Sequence, residues 1–310
     1  KIINNKLKNV EFNENDLKTF IYQSNLGLIE EQKIITGHFS GSLLQLLSER
    51  SNGITFYING HGTYFPNLFA HSKLCSKDNL MVENFNGECI CNNIANYGSS
   101  VNLIALLNNN GDYVGDGIAS FKGYAKNAFF INNNGVHVAH RIGFKGEIKN
   151  TFILNNKGKW MGDIFSGGSK ADLIFYANNI GRNMAGHIGD FNTKIKNLIL
   201  LNNKSNSIGY GITIEKNHKI YLVGNEKLNV NRSFITFGYP SQLNIYSYNN
   251  KGKIVKKFAN VTSGTEAISS YNQLIKQKNL QNIIKLADNP DQCTGEDFAK
   301  YLVKISEEIK

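Results

Sequence analysis

The chain has 310 residues, 41% hydrophobic and 19% charged, with a net charge of +10. That balance excludes a disordered segment, and no apolar run reaches the roughly 18 residues that a membrane-spanning helix requires. Its four cysteines are too few for a disulfide-stapled scaffold.

The lysines are spread along loops without the interleaved aromatics of a nucleic-acid surface, so no specific nucleic-acid partner is expected. Attraction to an anionic surface remains open, with the charge discounted because Asn, Lys and Ile are abundant throughout. The sequence opens at Lys1 without Met or a signal-like segment, and the expectation is a processed chain or a piece of a longer one.

Residues 1–33 read as a partly helical cap. Leu17, Phe20, Ile21, Leu28 and Ile29 fall in a patchy helical pattern between Asn13 and Gln32, interrupted by Gly27. A repeat then governs residues 34–260. Asn59, Asn84, Asn108, Asn132, Asn155, Asn178 and Asn202 recur at intervals of roughly 23 to 25 residues, each after a short apolar run and before a glycine-bearing turn.

Aligning on these asparagines brings an apolar column into register (Phe65, Ile90, Val114, Val138, Met161, Met184, Ile208), then a small one (Pro66, Cys91, Gly115, Ala139, Gly162, Ala185, Gly209). The runs between turns are too short for helices and rich in β-branched and aromatic residues, so they read as strands. The fold class expected is an all-β core, a right-handed parallel β-helix of about seven to nine coils of about 24 residues, flanked by N- and C-terminal α-helices. Stacked rungs place the asparagines in a ladder at one corner, where an amide can bond the amides above and below.

Two adjacent columns of the strand before that corner are apolar. Phe56, Met81, Ala105, Phe129, Phe152, Phe175 and Ile199 form one, and Tyr57, Val82, Leu106, Phe130, Ile153, Tyr176 and Leu200 the other. Successive strand residues point to opposite faces, so one column leaves the coil interior and needs a cover, either a terminal helix or a partner chain. The second column is the expected seam for self-association.

Residues 261–310 read as a helical pair. Ser263 and Glu266 match a capping box, Ile268, Tyr271, Leu274 and Ile275 share a face, and this helix is expected to reach about Leu286. A second helix is expected near Thr294, with Phe298, Leu302, Ile305 and Ile309 on one side. The pair would cap the open end of the solenoid or lie along the apolar stripe.

Chemistry is sparse. One position past the small column, Asn92, Asp116, His140, Asp163 and Tyr210 line up, with His137 and His187 nearby. Asp116, His140 and Asp163 are the candidate binding residues, since acid, imidazole and acid at rung spacing can hold a cation or exchange a proton. The plainer reading is a corner column whose polar side chains pair across rungs. Arg141 and Arg182 fall on different columns, away from clustered acids, so no catalytic residue is assigned. A bridge from Cys75 to Cys89 or Cys91 is conceivable, and a Cys89–Cys91 metal site lacks a second pair. No cofactor and no metal is expected.

The segments Ile148–Gly158 and Ile195–Lys204, with Ile208–Ile212 following, resemble the degenerate Asn-rich repeats of bacterial autotransporter passengers of the vacuolating-cytotoxin-like kind. The resemblance covers about Ile54 to Val255. It implies a secreted or surface-displayed binding module, adhesin- or toxin-like, without catalysis, whose partner is a host-surface protein, a glycan or an anionic surface. Asn110–Gly117 resembles the glycine-rich β-helix domain of glutamate synthase and of a formylmethanofuran dehydrogenase subunit. That likeness implies instead a cytoplasmic scaffold subunit with a permanent partner on the apolar stripe. A β-helix polysaccharide-active enzyme is the remaining expectation.

Overall fold

The computed structural model describes residues 6–24, 30–162, 168–185, 193–208, 219–226, 228–230, 244–254 and 260–310. These form a parallel β-solenoid of about six turns, fewer than the sequence repeat implies. Each turn contributes one strand to a ten-stranded sheet and one to a seven-stranded sheet, both parallel throughout. Beyond Lys204–Ile208 the second-sheet strands Leu228–Val230 and Gly252–Ile254 pair separately, which shortens the count of full turns.

Register explains both apolar columns. Met81, Ala105, Phe129, Phe152, Phe175 and Ile199 pair in sequence across the ten-stranded sheet and point outward. Val82, Leu106, Phe130, Ile153, Tyr176 and Leu200 point inward, into one continuous coil core. They are 0–1% exposed, so the expected self-association seam is the interior of the solenoid. The first coil sits one residue out of the sequence alignment: Phe56 pairs with Leu80 and Tyr57 with Met81. Phe56 is therefore inside, and Tyr57 belongs to the outward column.

The outward column is covered by the chain's own C-terminus. Helices α3 (Thr265–Lys278), α4 (Gln281–Asp288) and α5 (Glu296–Glu308) seat Leu274, Ile283, Leu286, Phe298, Leu302 and Ile305 in the same buried layer as Phe129, Phe152 and Phe175. The helix expected to reach Leu286 is broken at Asn279, in the left-handed region at φ 57°, which buries Leu280. The expected capping box is absent. Ser263 ends the last strand, so its backbone is committed to the sheet, and Gly264 caps α3 without a side-chain bond.

Glu83 locks this cover in place. It is fully buried in the outward column; it accepts from the Gly295 N–H at the start of α5 at 3.0 Å, from the Tyr57 hydroxyl at 2.6 Å, and from the Thr294 hydroxyl. A carboxylate at a helix N-terminus meets unsatisfied N–H groups and the positive end of the helix dipole.

At the other end, α1 (Glu14–Gln23) and α2 (Glu30–Ser51) close the coil core, with Leu17, Ile21, Leu43, Leu44 and Leu47 buried against it. Asn13 and Asp16 form a capping box on α1. The cap therefore runs to Ser51, beyond the residue-33 boundary, and the first strand begins at Thr55. Residues 34–51 carry Gly37, Gly41 and four serines among the apolar residues, a poor helical signature. Gly41 shows why: a Cβ there would stand 2.2 Å from the Ala70 carbonyl oxygen, so the helix meets the coil backbone directly.

The third side of the coil has its own signature. From the small column onward every second residue has positive φ: Cys91, Asn93, Ala95 and Tyr97 in one coil, then Gly115, Gly117, Ala119 and Phe121 in the next. Their N–H groups still bond from rung to rung, Asn93 to the Asp116 carbonyl at 2.7 Å and Ala95 to Ser72 at 3.0 Å.

Candidate functional site

Each coil carries a four-residue element at the corner between the sheets, such as Asn108-Asn109-Asn110-Gly111 or Asn132-Asn133-Asn134-Gly135. Its four positions have four different physical roles. The first asparagine supplies the turn: Asn84, Asn108, Asn132, Asn155, Asn178 and Asn202 all have φ between 51° and 57°. Among non-glycine residues, asparagine tolerates this region best.

These are the residues expected to form the amide ladder, and apart from Asn84 donating to Asn59 at 3.2 Å they do not. Their amides instead reach the C-terminal cover: Asn108 donates to the Cys293 carbonyl, Asn132 to Pro290 and Asn178 to Ala287, at 2.7–3.0 Å. The Asn155 amide nitrogen finds no partner among the described residues. Asn59 is the exception in position, because it pairs with Glu83 as the last strand residue and precedes the corner.

The ladder lies one residue further on. Asn109, Asn133, Asn156, Asn179, Asn203, Asn225 and Asn250 each present Oδ1 to the backbone N–H and Nδ2 of the preceding rung's asparagine, or, for Asn109, to the Phe85 N–H. Each also donates Nδ2 to a carbonyl on the strand of the preceding rung, such as Asn156 to Phe130 at 2.8 Å. A strict left-handed turn at the first position swings the second side chain into the coil, where an amide must be fully bonded.

The third position faces out. At the fourth a side chain would point inward, against Ile90 or Val138 of the coil core, so that only backbone borders the outer face. Asn86, Asn110 and Asn134 form a second, exposed amide file, Asn110 donating to Asn86 at 3.2 Å and Asn134 to Asn110 at 3.0 Å. In later coils the position becomes Lys157, Ile180 and Lys204. Beside the file, Gly87, Gly111, Gly135 and Gly158 lie in register. A Cβ on Gly111 would stand 2.3 Å from the Gly87 carbonyl oxygen, so this position admits only glycine.

The result is a groove of about 740 Å³ on the outer face of the seven-stranded sheet, floored by bare backbone. Asn86, Asn110 and Asn134 line one side; Glu88, Asp112, Val136 and Lys159 line the other. Tyr64 closes one end, its hydroxyl on Glu88 at 3.0 Å and Lys33 over its ring.

The residues singled out from sequence lie around the next corner. His140 Nδ1 stands 2.8 Å from Asp116 Oδ1, and since a carboxylate only accepts, Nδ1 carries the proton. The imidazole leans on His137, which is stacked between Tyr113 at 4.7 Å and Trp160 at 6.3 Å. Side-chain exposures of 10% and 17% leave little of the pair open. Asp163, the third candidate, lies outside the described residues, as do His187 and Tyr210.

Arg141 joins Asn93, Asp116, Phe121 and Phe144 around a separate pocket of about 350 Å³, while Arg182 stands apart on the sheet face. All four cysteines are free thiols. Burial first, then the carboxylates of Asp116, Glu88 and Asp112, push the Cys89 thiol up to about 11, which removes it as a nucleophile at neutral pH. Among the described residues no group of three or more His, Cys, Asp or Glu could hold a metal ion.

No protein-family model, curated protein or solved structure matches this chain.

Proposed function

We propose that this chain is a secreted or surface-displayed binding module, of the adhesin- or toxin-like passenger kind that its Asn-rich repeats resemble, with no catalysis of its own. The observation that carries the reading is the pairing of an open polar groove with an apolar face already covered by the chain's own helices. A scaffold subunit would need that apolar face for its partner. Affinity for a surface then grows from many weak contacts along a rigid, basic rod.

Protease shaving of intact source cells tests it: peptides of this chain released from the surface support the reading, and complete protection inside the cell overturns it. A carbohydrate-active enzyme is the second reading, favoured by the Asp116–His140 pair. It requires new reducing ends when purified chain is incubated with polysaccharide.

A further inference from the structure

Resting on the binding-module reading, we propose that the groove over Gly87, Gly111 and Gly135 binds a neutral, extended polysaccharide lying along the solenoid axis, with about one sugar over each coil. The groove crosses five successive coils, from Tyr64 to Lys159. At about 4.8 Å per rung that is a track of roughly 19 Å.

Its chemistry repeats with the rungs. Asn86, Asn110 and Asn134 each donate one amide hydrogen, to the Gly62 carbonyl, Asn86 and Asn110 in turn, and Asn86 and Asn110 each accept one bond. Each side chain can therefore offer a further donor and acceptor outward. Glu88 and Asp112 stand across the glycine floor, where a carboxylate can accept from neighbouring hydroxyls. The floor has no side chains, so a flat ring can approach the backbone closely.

The same features reject other polymers. An extended peptide advances about 3.3 Å per residue and drifts out of step with rungs at about 4.8 Å, whereas a hexose in an extended chain advances by close to one rung. Polyanions such as nucleic acids or polyuronates would place their charges against Glu88 and Asp112 in the middle of the track, whereas the lysines stand at its ends, Lys33 over Tyr64 and Lys157 and Lys159 on the fifth coil.

The test is titration of the full chain with cellohexaose, chitohexaose, mannohexaose and a hexauronate, each beside its disaccharide. The proposal expects a neutral hexasaccharide to bind at least about tenfold more tightly than its disaccharide and than the hexauronate. Asn110→Ala with Asp112→Ala should weaken that binding by about tenfold or more at an unchanged melting temperature, and Phe121→Ala should leave it intact.

Preference for the hexauronate, or loss of binding with Phe121→Ala but not with the groove variants, would overturn this site and leave a glycan-binding module standing. Absence of binding to all four hexasaccharides at millimolar concentration overturns the ligand class. The shaving result judges the module separately.

Discussion

The outer faces of the two sheets lie one corner apart on the same coil and have been put to opposite uses. Over the ten-stranded sheet, Phe129, Phe152 and Phe175 are fully buried beneath α3–α5. Over the seven-stranded sheet, Asn110, Asp112 and Asn134 remain exposed around a backbone floor. A repeat therefore does not make every face equivalent: a face that must be covered becomes part of the core, and only the polar one stays available for a ligand.

The comparison breaks first at the cover. Removing residues 265–310 uncovers several large side chains, each worth about 1.5–3 kcal/mol when buried. The shortened chain should aggregate or form large oligomers by light scattering, and a well-behaved monomer with the parental melting curve would contradict the sealed face.

Next in size is the buried amide file. Asn156→Leu strips the side-chain bonds to Phe130, Leu154 and Asn179 and takes the acceptor from the Asn133 backbone N–H, so a loss of about 3 kcal/mol is expected in denaturant unfolding. Glu83→Gln keeps the shape but removes the charge at the start of α5, and should lower stability by about 1–2 kcal/mol, read by the same method.

A smaller, pH-linked effect sits at the N-terminal cap. His71 stacks on His38 at 4.9 Å, and its pKa is lowered from 6.5 by burial first and by His38 second. The unfolded chain takes up that proton more readily, so the stability is fully present above pH 6.5 and declines as pH falls below it. His71→Ala should flatten this slope in melting temperatures measured from pH 7 to 5. The smallest effect belongs to Asn155→Gly, within about 0.5 kcal/mol, because glycine adopts the left-handed turn freely and the lost amide nitrogen has no partner among the described residues.

The period, the strands and the need for a cover were legible because apolar side chains must recur with the coil. What the asparagines do was not legible. Asn132 and Asn133 are adjacent and chemically identical, and only the sign of φ decides that one turns the chain while the other bonds inside it. The exposed file of Asn86, Asn110 and Asn134 was lost in an Asn-rich composition, although its pairing with a glycine column was a usable signal. Helix α2 escaped because its glycines serve contact with the coil and blur helical periodicity. Among the site candidates, the Asp116–His140 pairing followed from rung spacing, but its contact with His137, which is stacked between Tyr113 and Trp160, depends on the neighbouring column.

Hydrogen–deuterium exchange of the full chain, with and without a saturating neutral hexasaccharide, tests the division of faces most directly. Slower exchange confined to residues 86–88, 110–112 and 134–136, with 265–308 unchanged, is the predicted result. Protection centred on 265–308 would contradict it, placing the binding surface on the helices and leaving the groove without a role.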